Sequence, residues 1–196
     1  MRRRLLRLPD RLTRFARATR GATAVEFAII ALPFCVLMFG IIELGLVFMV
    51  SVTLQNATDN AARQIRTGQF QTSGSNAKGD FKTLVCDRMS WLQTSCGGKL
   101  TVAVETFADF TAASASNPTA GTAFTPAAAD ATCFSTGAPG DIVLVRTYYQ
   151  WNVFTPLLNA ALVNMGTGSG KRLISTVAAF RNEPYSSQTP VGAKCS

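Results

Sequence analysis

The sequence predicts an α+β fold: a long N-terminal helix apolar enough to cross a membrane, then a small antiparallel sheet with short helices. Three observations carry that expectation. Residues 28–50 form one apolar run, an apolar repeat at three- and four-residue steps prolongs it to about Arg66, and three strand-like segments follow among turns rich in Gly, Ser and Pro. The predicted order (helix, helix, strand, strand, helix, strand) suits a sheet packed on the long helix. Three regions result: a basic leader over 1–21, a transmembrane and stalk helix over 22–67, and an α+β domain over 68–196.

The leader accounts for the charge of the chain. The net charge is +8, yet residues 1–20 hold eight arginines against the single Asp10, and the remainder is nearly neutral. Basicity confined to a short tail ahead of an apolar run is a topology determinant attracted to lipid headgroups. No nucleic-acid partner is expected from it.

From Ala28 to Val50 the chain reads AIIALPFCVLMFGIIELGLVFMV. As a helix this covers roughly 34 Å, enough for a hydrocarbon core of about 30 Å. The run exceeds the apolar region of a cleavable signal, about 7–15 residues, so it is read as a lasting anchor. The arginines precede it, and only Arg63 and Arg66 follow closely. The positive-inside rule then places the N-terminus in the cytoplasm. The anchor is expected in the inner (cytoplasmic) membrane, as a single pass, with the C-terminal domain periplasmic or otherwise extracytoplasmic. Glu43 interrupts the run, and an intramembrane carboxylate needs a partner or a proton. Pairing with a charge on another subunit, or hydrogen bonding in protonated form within a helix bundle, would each satisfy it.

At the membrane boundary stand Arg20-Gly21-Ala22-Thr23-Ala24-Val25-Glu26-Phe27. This pattern resembles the type III signal of type IV prepilins, which a membrane aspartic peptidase cuts directly after the Gly. The resemblance implies a cut between Gly21 and Ala22, with Glu26 pairing to the new α-amine of a neighbouring subunit. A residue without Cβ permits close approach of the peptidase to the backbone. Glu26 also suits the first turn of a helix, where the dipole favours an acid. Ala22 departs from the Phe that many type IV pilins carry after the cut. Tight-adherence (Tad, or Flp) pilins follow a looser rule of Gly, four residues, Glu and an aromatic, which Phe27 meets.

The likeness extends further. RGATAVEFAIIALPF, GIIELG and LQNATDNAARQIRTGQ resemble the N-terminal module of TadE-like proteins, and VAAFRNEPY (177–185) resembles their ending. This resemblance implies a pilin-like fold and a minor pseudopilin of a type IVb (Flp) pilus assembly or secretion machine. The implied partners are a prepilin peptidase, other pilus and pseudopilin subunits, assembly-platform proteins and membrane lipid. The alternative is an unprocessed, single-pass envelope binding module.

Five cysteines are present. Cys35 lies in the apolar run and is expected to be a lone buried thiol. Cys86, Cys96, Cys133 and Cys195 form an even set without C-x-x-C spacing, as disulfides of an exported domain would. Of the three pairings, Cys86–Cys96 with Cys133–Cys195 is preferred, because the first is local and the second would fasten the C-terminus. Histidine is absent, which removes the usual general base and the commonest metal ligand. With no nucleophile elbow or paired carboxylates either, no enzyme activity, metal or cofactor is expected. Gly166-Thr167-Gly168-Ser169-Gly170-Lys171 imitates a phosphate loop, but Met165 and Arg172 occupy positions where Walker A needs Gly and Ser or Thr. It is read as a turn.

The stalk helix is expected from about Ala22 to Arg66, with Val50, Leu54, Ala57, Ala61 and Ile65 as an apolar seam for the domain or another stalk. Gly68 is its expected C-terminal cap. Residues 70–79 read as a polar linker and 80–93 as a second helix. Lys99 to Phe107 alternates like a half-exposed strand, 108–140 reads as a long loop, and Asp141 to Val153 as the strongest strand. Thr155 and Pro156 are expected to open a short helix reaching Met165, and Lys171 to Arg181 is the third strand.

Overall fold

Helix α1 runs from Thr19 to Arg66, through Pro33, in the computed structural model, which describes residues 19–73, 78–116, 134–155, 158–166 and 168–186. It is already helical at Thr19, the first residue described, three residues before the expected Ala22. Its end follows expectation: Arg63 and Arg66 occupy the last turn, and Gly68, at φ 76°, closes it with its N–H on the Ile65 carbonyl. That left-handed conformation is open to Gly without a Cβ penalty. The chain divides between Ile42 and Glu43 into two units.

In the first unit, the described residues belong to α1 and carry exposed apolar side chains, among them Val25, Phe27, Ile29, Ile30, Leu32 and Phe34. An exposed apolar surface of this extent marks a membrane or protein interaction site. Cys35 is a free, exposed cysteine, not the buried thiol expected from its apolar neighbours. An apolar sequence around a residue shows that it avoids water, not that protein covers it.

In the second unit the remainder of α1 becomes one wall of a core. Val47, Val50, Leu54, Ala57, Thr58, Ala61 and Ile65 are buried at three- and four-residue steps. The opposite wall is a three-stranded antiparallel sheet in the order β1-β2-β3, with β1 at Leu100–Phe107, β2 at Ile142–Asn152 and β3 at Lys171–Arg181. Leu100, Val102 and Val104 of β1, Val143, Val145 and Tyr149 of β2, and Ile174 of β3 join the seam in one cluster. Thr58 and Thr147 exchange a buried hydroxyl hydrogen bond of 2.7 Å, and Thr176 donates to the Gln55 amide oxygen. These bonds fix which face of the sheet meets the helix. A buried Leu or Phe in such a wall contributes about 1.5–3 kcal/mol by leaving water.

The linking elements differ from expectation in informative ways. A short α2 (Gln69–Thr72) carries Phe70 into the core, so part of the expected linker is structured. The second helix is not one piece over 80–93. It is α3 (Lys78–Asp87), a 3-10 turn (Ser90–Leu92) and α4 (Gln93–Cys96), with the break at Ser90 in positive φ. A disulfide joins Cys86 and Cys96, with Cα atoms 5.6 Å apart. A continuous helix would separate residues ten apart by about 15 Å, so the bridge requires a chain reversal between them.

Strand β1 is buried on both faces over its first five residues, not half-exposed. Helix α5 (Phe110–Ala115), in the expected loop, lies over its second face with Asp109 as N-cap, whose carboxylate accepts the Ala112 N–H at 2.7 Å. Arg146 lies buried on that face, paired with Glu105 at 3.2 Å. Phe134 pairs in parallel with Val104 along the outer edge of β1. Helix α6 is short, Asn159–Leu162, and does not begin at Thr155; Pro156 lies outside the described residues. Between α6 and β3, Gly166, Gly168 and Gly170 are in positive φ, as the expected turn requires; Thr167 lies outside the described residues.

Replacing Cys86 or Cys96 by Ser is expected to destabilise the domain by about 2–3 kcal/mol, since the bridge closes a short loop. Urea unfolding of the full chain in detergent, with and without reductant, measures this. Reductant should lower the midpoint of the parent by more than it lowers that of Cys86→Ser, in which only the expected Cys133–Cys195 pair is left to reduce.

Candidate functional site

Three groups of residues stand out, and each can be built from its local chemistry. The first is the boundary motif. Gly21, Ala22, Glu26 and Phe27 all lie within α1, with Glu26 and Phe27 exposed. Because α1 is helical from Thr19 onward, Glu26 lies at least two turns inside it. The expected dipole interaction therefore requires a helix that begins at Ala22, as a cut chain would. A Cβ added at Gly21 meets nothing within 4 Å. A larger side chain there is accommodated by the helix itself.

The second group surrounds Glu43, which is only 2% exposed although Ile42 and Leu44 beside it are exposed. Its carboxylate accepts three hydrogen bonds from the end of β2 and the residues after it. Trp151 donates its indole N–H to Oε1 at 3.2 Å, while the Phe154 backbone N–H and the Thr155 hydroxyl donate to Oε2 at 3.1 and 3.2 Å. Thr155, the expected helix cap, is used here instead. The partner of Glu43 thus comes from its own chain. Hydrogen bonds to a carboxylate are among the stronger ones, and a buried acceptor without them would be costly. Trp151 also stacks edge-on with Phe154 at 5.4 Å and Trp91 at 6.2 Å.

The third group lies at the other end of the domain. Here the chain leaving β3 returns to the end of α1. The Glu183 N–H caps the Arg66 carbonyl at 3.0 Å, and the Glu183 carboxylate pairs with the Arg66 guanidinium at 2.9 Å. That ion pair is half exposed and contributes little by itself. The buried Asn182 amide donates to the Thr136 and Ala138 carbonyls and to the Tyr185 hydroxyl, which also accepts from Gln71. Burial, then repulsion from Asp141, raises the Tyr185 pKa, so the phenol stays neutral. Its ring lies flat against Gly68, where a Cβ would stand 2.7 Å from the ring. The segments TGQ (67–69) and FRNEPY (180–185), far apart in sequence, form one clasp.

Cys86 and Cys96 are bridged, as preferred; Cys133 and Cys195 lie outside the described residues. The sequence did not single out Trp151, Phe154, Asn182 or Gln71. For Trp151 the only available signal was an indole, which needs a partner for its N–H, in a segment otherwise read as buried strand.

Among the described residues, one helix is long and apolar enough to cross a membrane, consistent with a single-pass anchor. Its residues also decide the comparison with known families. Residues 21–63 match the TadE-like protein family. The match takes in about a fifth of the chain, from the boundary motif through Glu43 and most of the seam, and it points to a component associated with Tad pili. The clasp residues after β3 lie outside this TadE-like segment. No curated protein and no solved structure matches the chain.

Two substitutions test these groups. Glu43→Ala removes the acceptor for three donors, and a loss of about 2–4 kcal/mol is expected, with Glu43→Gln recovering part of it. Urea unfolding in detergent, followed by tryptophan emission, reads the change directly beside Trp151. Gly68→Ala forces positive φ on a residue with a Cβ and drives it into Tyr185, at an expected cost of about 1–3 kcal/mol. Adding Tyr185→Ala should remove the steric component and leave the backbone component, so the double variant should not regain full stability over Tyr185→Ala alone.

Proposed function

We propose that this chain is a minor pseudopilin-like component of a Tad (type IVb/Flp) pilus assembly or secretion machine. It acts through protein contacts, without catalysis of its own. A prepilin peptidase releases the leader between Gly21 and Ala22, and other pilus subunits and assembly-platform proteins are its partners. The observation that carries this reading is the TadE-like match over 21–63, which begins at Gly21 and takes in Glu26 and Phe27.

The geometry adds support. Cleavage would remove the helical residues before Ala22 and make Glu26 the fifth residue, one turn from a new α-amine. The exposed Glu26 side chain is free to reach a neighbouring subunit's amine. Orientation with the domain outside the inner membrane follows from the eight leader arginines. Use of the seam within the domain core leaves the exposed residues of the anchor for lipid and neighbouring helices.

One observation favours the unprocessed envelope module instead: α1 is helical across Gly21–Ala22, and a peptidase must unwind a helix to reach that bond. Mass spectrometry of the N-terminus, on membranes with and without the prepilin peptidase, decides between the readings. The expected result is a new N-terminus at Ala22 that disappears without the peptidase and in Gly21→Leu. An intact leader under every condition would overturn processing and leave the anchored module.

A further inference from the structure

At the Glu43 end, the domain exposes large apolar side chains that its core does not use. Phe154 is 66% exposed, Phe48 71% and Trp91 43%, and Leu44 and Met49 of α1 are exposed beside them. Phe154 and Trp91 flank the buried Trp151, and the Phe154 N–H is bonded to Glu43. These groups therefore belong to one end of the domain. Aromatic side chains of this kind concentrate at the headgroup level of bilayers.

The length of the anchor bears on what covers them. Between Glu26 and Glu43 lie sixteen uncharged residues. As a helix they cover roughly 24 Å, short of a hydrocarbon core of about 30 Å. Reaching the full thickness takes about twenty residues, which places the far boundary near Leu46. The apolar layer then extends past Glu43, and the next ionisable residue along α1 is Asp59. The three hydrogen bonds from the domain are what allow a carboxylate at this level.

Charge is arranged in the same sense. Lys171 and Arg172 begin β3 opposite Asn152 and Trp151, and the Lys99 carbonyl accepts the Gln150 N–H at the same end of the sheet. Asp87 also lies toward this end, through the Cys86–Cys96 bridge, with Arg88 next to it in sequence. At the opposite end Asp141 and Glu183 are balanced by Arg66 and Arg181. The apolar end is thus flanked by cations suited to lipid phosphates.

We propose that this end of the domain is seated in the bilayer interface, with Phe154, Trp91 and Phe48 at the boundary between headgroups and acyl chains. The partner is a phospholipid surface. The inference rests on reading α1 as a membrane span but is independent of its orientation and of leader processing.

Trp91 and Trp151 are the only tryptophans, so emission can test it. The full chain is reconstituted into phospholipid vesicles, with or without bromine on the acyl carbons nearest the headgroup. Emission is compared between the parent and Trp91→Phe, a mild change at a half-exposed position. The expected result is that the component lost in Trp91→Phe is quenched at least twofold by brominated lipid. Phe154→Ser should reduce that quenching while the urea midpoint stays near the parent value. Equal emission in both vesicles, with the protein floating with the lipid, would overturn the proposal and leave this end clear of the bilayer for a protein partner. Failure to float would overturn the anchor itself, and the proposal with it.

Discussion

A single helix here serves two surroundings: up to Ile42 its large apolar side chains are exposed, and from Glu43, whose carboxylate the domain holds, it is one wall of the domain core. Before Glu43, α1 has apolar side chains exposed around its circumference; after it, every third or fourth side chain is covered by the sheet. A helix facing lipid needs no particular face, whereas a helix facing a sheet must offer a stripe and turn its polar residues outward. Asn56, Asp59 and Asn60 are those outward residues, Gln55 at the margin reaches Thr176 of the sheet, and Val50, Leu54, Ala57 and Ala61 are the stripe. The small alanines let the helix approach the strands, and Thr58 and Thr147 satisfy each other inside that contact. The rest of the core is arranged around this seam.

Much of this was legible in the sequence, because strong periodicities have few physical solutions. The apolar run, the seam, Gly68 as the cap and the three strands follow from residue pattern alone, and the structure agrees on each. The local pairing of Cys86 with Cys96 was preferred, but the reversal it demands was not, because Phe81, Leu84, Val85 and Leu92 fit one continuous helix equally well. Burial of both faces of β1 was also missed. Ala103 and Thr101 are small and ambiguous, and the cover depends on α5, which lies in a segment read as loop, and on Arg146 of β2, which is remote in sequence from its partner Glu105.

The functional residues divide in the same way. Gly21, Glu26 and Phe27 announce themselves by spacing at a charge boundary, and the TadE-like match spans them. Glu43 was conspicuous as a charge in an apolar run, yet its donors sit more than a hundred residues away. No local pattern names Trp151 or Thr155 as its partners. Tertiary proximity supplies what periodicity cannot.

The domain is bonded to α1 near both ends of the same stretch: at Glu43 by the residues that leave β2, and at Arg66 by those that leave β3. The helical distance between those points is roughly 34 Å, and the eleven residues of β2 span roughly 36 Å. Helix and strand are matched in length and joined along it by the seam and by the bonds of Thr58 and Gln55. A pull along the helix axis would therefore load these contacts together, in shear, whereas a sideways pull would open them one after another from an end. The domain is built to resist axial extraction of its own anchor and to yield more readily to peeling.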